Sequence, residues 1–145
     1  MSLAEAKLKW IDGERFVVNG LSGHAIVTDS SAATAPNPME LTLMALCGCT
    51  ASDVVSILRK KREPLTGLEV RAEAERAPDP PRVYTSIKLI YTVSGAVTRK
   101  AVEDAVRLSE EKYCSVSAML KSTARITTEI HLAGAAESEL AEQKR

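Results

Sequence analysis

Short apolar runs broken by turn pairs open the chain: Phe16-Val17-Val18 and Ala25-Ile26-Val27 lie between Asp12-Gly13, Asn19-Gly20 and Ser22-Gly23. This pattern predicts three short antiparallel strands over residues 8–28. Residues 30–36 are small and polar and read as a loop. Asn37-Pro38-Met39-Glu40 then supplies a capping residue, a proline suited to the first helical position and a carboxylate that can reach back to the cap. The helix it starts should run to about Lys61 and stop at Glu63-Pro64 and Gly67. From Leu41 to Ala51 it is apolar or small on every side, which predicts burial all round. From Ser52 it turns amphipathic, with Val54, Val55, Ile57 and Leu58 set against Asp53, Arg59 and Lys60.

Strict alternation follows. Leu68, Val70, Ala72 and Ala74 share one face and Glu69, Arg71, Glu73 and Glu75 the other. Beyond Pro78-Asp79-Pro80-Pro81, the residues Val83, Thr85, Ile87, Leu89, Tyr91 and Val93 repeat the pattern, predicting a long hairpin closed at Ser94-Gly95. Thr98 caps a second helix, with a stripe of Val102, Ala105, Val106 and Ser109, that ends near Tyr113. A short helix is expected over 115–121. Ala124, Ile126, Thr128, Ile130 and Leu132 alternate in a last strand, and the tail over 134–145 reads as a frayed helix. The order of elements predicts an α+β fold, one antiparallel sheet backed by helices.

A length of 145 residues suits a single domain over 1–145. With 19 basic and 19 acidic residues and 3% aromatics, the chain offers neither a basic excess nor stacking platforms for nucleic acid. The apolar run Leu41–Ala51 falls short of the roughly 20 residues of a membrane span. Charges at Glu5, Lys7 and Lys9 interrupt the N-terminus, so no secretory signal is expected and the compartment is read as cytoplasmic.

Three cysteines remain. Cys47 and Cys49 are two residues apart on one helix, about 200° around it, so their side chains point apart. Cys47 reads as packing. Cys114 sits between two helices, where the amides starting the second could stabilise a thiolate. All three thiols could be small core residues; alternatively the fold brings Cys49 and Cys114 together. His24 and His131 lack metal-ligand spacing to the cysteines, so neither a metal nor a cofactor is expected.

Asn37-Pro38-Met39-Glu40-Leu41, then Ala45-Leu46-Cys47-Gly48-Cys49-Thr50 and Asp53-Val54-Val55-Ser56-Ile57-Leu58, resemble the central helix of the OsmC/Ohr family, the osmotically inducible and organic hydroperoxide resistance proteins. Glu111-Lys112-Tyr113-Cys114-Ser115-Val116-Ser117 resembles that family's second-cysteine motif, with Ser115 where proline is usual. The resemblance covers nearly the whole chain. It implies an intertwined homodimer with its central helices back to back, which would account for an all-round apolar helix. It also implies reduction of a small organic or inorganic hydroperoxide. Cys49 would be the attacking thiolate, Cys114 the residue that closes a disulfide with it, and an external dithiol the reductant.

One departure bears on that chemistry. In active peroxidases of the family an Arg lowers the first thiol's pKa, and a Glu directly after the helix-starting proline holds that Arg. Met39 stands there in this chain, Glu40 comes one residue later, and no Arg lies between Arg15 and Arg59, so the resemblance leaves Arg15 to serve as that Arg and Glu40 as its partner. Glu40 also has a simpler role as a capping carboxylate. The pattern resembles the YhfA-like branch of OsmC proteins. The alternative function is a non-enzymatic relative that binds a small lipophilic molecule at the dimer interface or senses oxidants.

Overall fold

The computed structural model describes residues 2–133, so the expected tail helix over 134–145 lies outside the described residues. The chain divides into two compact units, one up to Met44 and one from Ala45.

In the first unit, β1 (Ala6–Asp12), β2 (Arg15–Gly20) and β3 (Ala25–Asp29) form an antiparallel sheet in sequence order, as the turn pairs predict. β1 is exposed along its whole length, Leu8 and Trp10 included. At the end of β3 the buried Asp29 organises the following loop. Its Oδ1 accepts from the Ser31 amide and hydroxyl at 2.9 and 2.6 Å, and its Oδ2 from those of Thr34 at 3.0 and 2.7 Å. The Ser31 and Thr34 hydroxyls hold this carboxyl well below the usual carboxylate range.

α1 (Pro38–Lys60) starts on the expected capping box: the Glu40 amide donates to Asn37 Oδ1 at 2.8 Å and the Asn37 amide to Glu40 Oε2 at 3.2 Å. The expected all-round burial of its apolar half is not met within one chain. Along α1 only Leu46, Thr50, Val54 and Leu58 are buried, a single line at four-residue spacing, while Met44 is 54% exposed. The 23 residues of α1, with a mean hydropathy of 1.8 over the most apolar window, also pass the length and composition test for a membrane span that Leu41–Ala51 alone fails. The core helix of a folded protein passes it equally.

The second unit holds β4 (Leu65–Arg76), β5 (Tyr84–Gly95), α2 (Arg99–Leu108), a π-helical turn (Ser109–Tyr113), α3 (Ser115–Leu120) and β6 (Arg125–Ala133). Two features differ from the expectation. The strands form two three-stranded sheets rather than one, and the second, ordered β4-β5-β6, is mixed: β4 and β5 run antiparallel, β5 and β6 parallel. Strands joined through helices can return in the same direction, whereas a tight turn forces reversal. The alternation of β5 also breaks at a bulge opposite Glu75 and Arg76, so Tyr84 is buried and Thr85 exposed. Beyond the bulge, Ile87, Leu89, Tyr91 and Val93 are buried as predicted, with Val102, Ala105 and Val106 of α2. Thr98 caps α2, accepting the Ala101 amide at 3.2 Å.

Gly95 ends β5 opposite Leu65 at a φ of +115°. A Cβ there would strike the Pro64 carbonyl oxygen and come within 2.9 Å of the Thr66 nitrogen, so glycine is required on both conformational and steric grounds.

Candidate thiol site

Cys49 and Cys114 meet although they come from α1 and from the junction of the π-turn with α3. The Cys114 thiol hydrogen-bonds to the Cys49 sulfur, and both thiols are free. Cys49 is half-buried and Cys114 buried. Cys47 instead lies against the backbone of Ala72 on β4, and burial pushes its thiol up. The two cysteines of α1 therefore face different surroundings, as their separation around the helix requires.

The backbone around Cys114 fixes its sulfur from two sides. Its amide closes the π-turn by donating to the Ser109 carbonyl at 2.7 Å, and its sulfur caps α3 by accepting the Ser117 amide at 3.3 Å. The sequence suggests that such an amide would stabilise a Cys114 thiolate. The balance runs the other way. Burial, the hydrogen bond to Cys49 and the charge of Asp53 outweigh the Ser117 amide and push the Cys114 thiol up to about 11.

Four residues that the motifs did not single out as site residues frame the pair. Thr50, the neighbour of Cys49, shares a buried 2.8 Å hydrogen bond with the Tyr91 hydroxyl on β5. Ser109, fully buried, donates its hydroxyl to Asp53 Oδ2 at 2.9 Å and so ties the π-turn to α1 one helical turn beyond Cys49. Sequence signals for this frame exist in hindsight: Asp53 is four residues after Cys49, and Ser109 is a polar residue within an apolar stripe.

Arg15 and Glu40 do not pair with each other. Arg15 Nη1 bonds Asp12 at 3.4 Å, while Glu40 is engaged at Asn37. His131 sits on the exposed face of β6 beside Glu129 at 3.5 Å, and His24 is exposed. A cleft of about 320 Å³ opens over Asp53, walled by Ile57, Leu108 and Tyr113 and edged by Lys60 and Lys61.

Comparison with known proteins agrees with this architecture. Residues 29–129 match the OsmC family, described as OsmC-like protein. Protein YhfA of Escherichia coli K12 is 46% identical over 125 residues, covering 85% of this chain and 93% of that protein. A crystal structure of a hypothetical protein from Aquifex aeolicus VF5 is 33% identical, with a TM-score of 0.81 over 92% of this chain and 100% of that one. An organic hydroperoxide resistance protein OsmC from Legionella pneumophila shares the fold at 16% identity, with a TM-score of 0.68 over 90% and 98% of the two chains. With a mixed α+β architecture, a matching family region spanning most of its length and a close YhfA relative, this chain belongs to the OsmC family.

Proposed function

We propose that the protein is a thiol-dependent hydroperoxide reductase acting through Cys49 and Cys114. The observation that carries the reading is the direct hydrogen bond between these two thiols from separate elements. The Cys49 thiolate attacks one oxygen of the hydroperoxide. The O–O bond breaks, Cys49 becomes a sulfenic acid and the alkoxide leaves as an alcohol after taking a proton. The Cys114 sulfur then attacks the Cys49 sulfur; the S–S bond forms, the S–O bond breaks, and hydroxide leaves with the Cys114 proton as water. An external dithiol returns both residues to thiols and is itself oxidised to a disulfide. No cofactor enters these steps.

In this reading the chain is one cytoplasmic domain that pairs with a second copy. The single buried line of α1 and the exposure of Met44 support a partner over its remaining apolar surface. Sedimentation should give a dimer.

The test is intact mass after a small excess of cumene hydroperoxide, with and without a dithiol. Loss of two hydrogens in the wild type, reversed by the dithiol, and one added oxygen in Cys114→Ser support the mechanism. Unchanged masses sink it. A second reading, a ligand-binding or oxidant-sensing relative, draws on the separation of Arg15 from Glu40, since the family's thiol-activating pair is not formed. Unchanged masses favour it.

A further inference from the structure

The ridge of α1 that carries Cys49 continues past the thiol pair as Asp53, Ser56 and Lys60. Lys60 comes eleven residues after Cys49, almost three full turns, so it returns to within about 20° of Cys49 and stands about 16 Å further along the axis. The cleft of about 320 Å³ lies along this ridge, with Asp53 at one end and Lys60 and Lys61 at the other. Asp53 and Met44 are nine residues apart, about 180° around the helix, so the cleft lies on the side of α1 away from the exposed Met44.

The two ends differ in charge and the middle is apolar, with Ile57, Leu108 and Tyr113 as walls. At the outer end Lys60 is exposed and forms no ion pair among the described residues. Lys61 bonds Asp104 at 3.5 Å, but that carboxylate also receives Lys100 at 3.4 Å and Arg107 at 3.2 Å, so it does not cancel the positive charge around it. Lys112 adds a further cation, its Nζ 5.3 Å from the centre of the Tyr113 ring. At the inner end Asp53 accepts the Ser109 hydroxyl through Oδ2 at 2.9 Å, and its Oδ1 has no hydrogen-bond partner among the described residues. A carboxylate in that place repels an anion but accepts from a hydroxyl.

We propose that this cleft binds a medium-chain anionic amphiphile, its carboxylate at Lys60, its chain along Ile57, Leu108 and Tyr113, and a terminal hydroxyl or hydroperoxyl group donating to Asp53 Oδ1. The charges set the orientation: the cationic rim attracts the head, and Asp53 turns it away from the inner end. The chain between the polar ends buries against the walls and leaves no polar group unpaired. The span of about 16 Å suits roughly twelve carbons in extended form, at about 1.2 Å per bond. Asp53 is one helical turn from Cys49. Resting here on the reductase reading, the substrate class is a hydroperoxide that also bears a carboxylate.

The test is isothermal titration of the reduced full-length protein with ω-hydroxydodecanoate, which carries both polar ends but no O–O bond to react. Saturable binding is expected, weakened by added salt. Lys60→Glu, which turns a cation into an anion, should weaken it about fivefold to tenfold. Dodecanoate, which lacks the hydroxyl, should bind roughly threefold to tenfold more weakly, the worth of one hydrogen bond. The diol of the same length, which lacks the carboxylate, should bind more weakly too and lose its dependence on salt. Arg62→Glu, at an exposed cation outside the cleft, should leave the affinity unchanged. Both substitutions are at exposed positions, so the fold survives them. No saturable binding, equal losses in Lys60→Glu and Arg62→Glu, or equal affinity for the hydroxy acid and the diol overturns the proposal. Binding in a protein that consumes no hydroperoxide leaves the site standing while the reductase reading falls. Consumption of cumene hydroperoxide without binding of the hydroxy acid does the reverse.

Discussion

Thr50 Oγ1 and Tyr91 Oη lie 2.8 Å apart in a fully buried contact that joins α1 to β5 beside Cys49. Each hydroxyl satisfies the other, so removing one leaves a buried polar atom without water to replace its partner. Tyr91→Phe should cost about 1–3 kcal/mol in urea unfolding. Replacing both, as Thr50→Val with Tyr91→Phe, should cost less than the sum of the single changes, because no orphaned hydroxyl remains.

Alkaline pH should weaken the fold through the same region. Burial pushes the Tyr91 hydroxyl up to about 12 from 10.0, and the Cys114 thiol up to about 11 from 9.0. Both stay protonated in the folded chain at pH values where the unfolded chain has begun to lose the proton. Their stabilising effect is complete below about pH 9 and is lost as pH rises through 11 to 12. Urea midpoints measured from pH 8 to 11.5 should fall more shallowly in Cys114→Ala and Tyr91→Phe than in the wild type. Equal slopes would contradict the assignment of those groups.

At Gly95, alanine must adopt a φ of +115° and meet the Pro64 carbonyl. Gly95→Ala should lower stability by about 1–3 kcal/mol. The same substitution at Gly48, which has open space around it within the single chain, should cost the fold of that chain nothing and gain a few tenths of a kcal/mol in helix propensity, any loss being confined to pairing with a second copy over this face of α1. Thermal unfolding of the two variants side by side checks the contrast.

Glu40 separates a capping role from a chemical one. Gln at this position can still accept the Asn37 amide but carries no charge. Glu40→Gln should therefore keep stability to within about 0.5 kcal/mol, while Asn37→Ala should lose about 1 kcal/mol. If Glu40→Gln also keeps the rate of hydroperoxide consumption, the carboxylate is a cap alone; a large loss of rate at unchanged stability would give it a part in the chemistry.

Much of this fold was legible from periodicity. The alternation of Leu68–Glu75 gave β4, the turn pairs gave β1 to β3, and Asn37-Pro38-Met39-Glu40 gave the start of α1 to the residue. The direction of β6 was not legible, since an alternating strand reads the same parallel or antiparallel, and the split into two sheets depends on pairings that no local pattern records. The bulge that buries Tyr84 in place of Thr85 left no local mark either. At the site, motif resemblance singled out Cys49 and Cys114, but their contact joins residues 65 apart in sequence, and its frame of Thr50 with Tyr91 and Asp53 with Ser109 joins residues 41 and 56 apart. A π-turn adds one residue to a helical turn, and that extra residue sets where Ser109 and Cys114 fall; helical periodicity alone predicts an uninterrupted helix there.

The buried line of α1, Leu46-Thr50-Val54-Leu58, has a neighbour one residue behind it: Ala45, Cys49, Asp53 and Ile57. The buried line and the residues of the thiol pair and its frame thus occupy adjacent ridges of one helix, phased by the same repeat of four. An alanine inserted after Thr50 would leave Cys49 where it is and swing every later residue by about 100°. Asp53 would turn away from Ser109 in the same stroke that turns Val54 and Leu58 out of the core. Substitutions can tune the thiol pair, but a change of length in this helix strikes the pair and the core together, so this segment should tolerate changes of residue far better than changes of length.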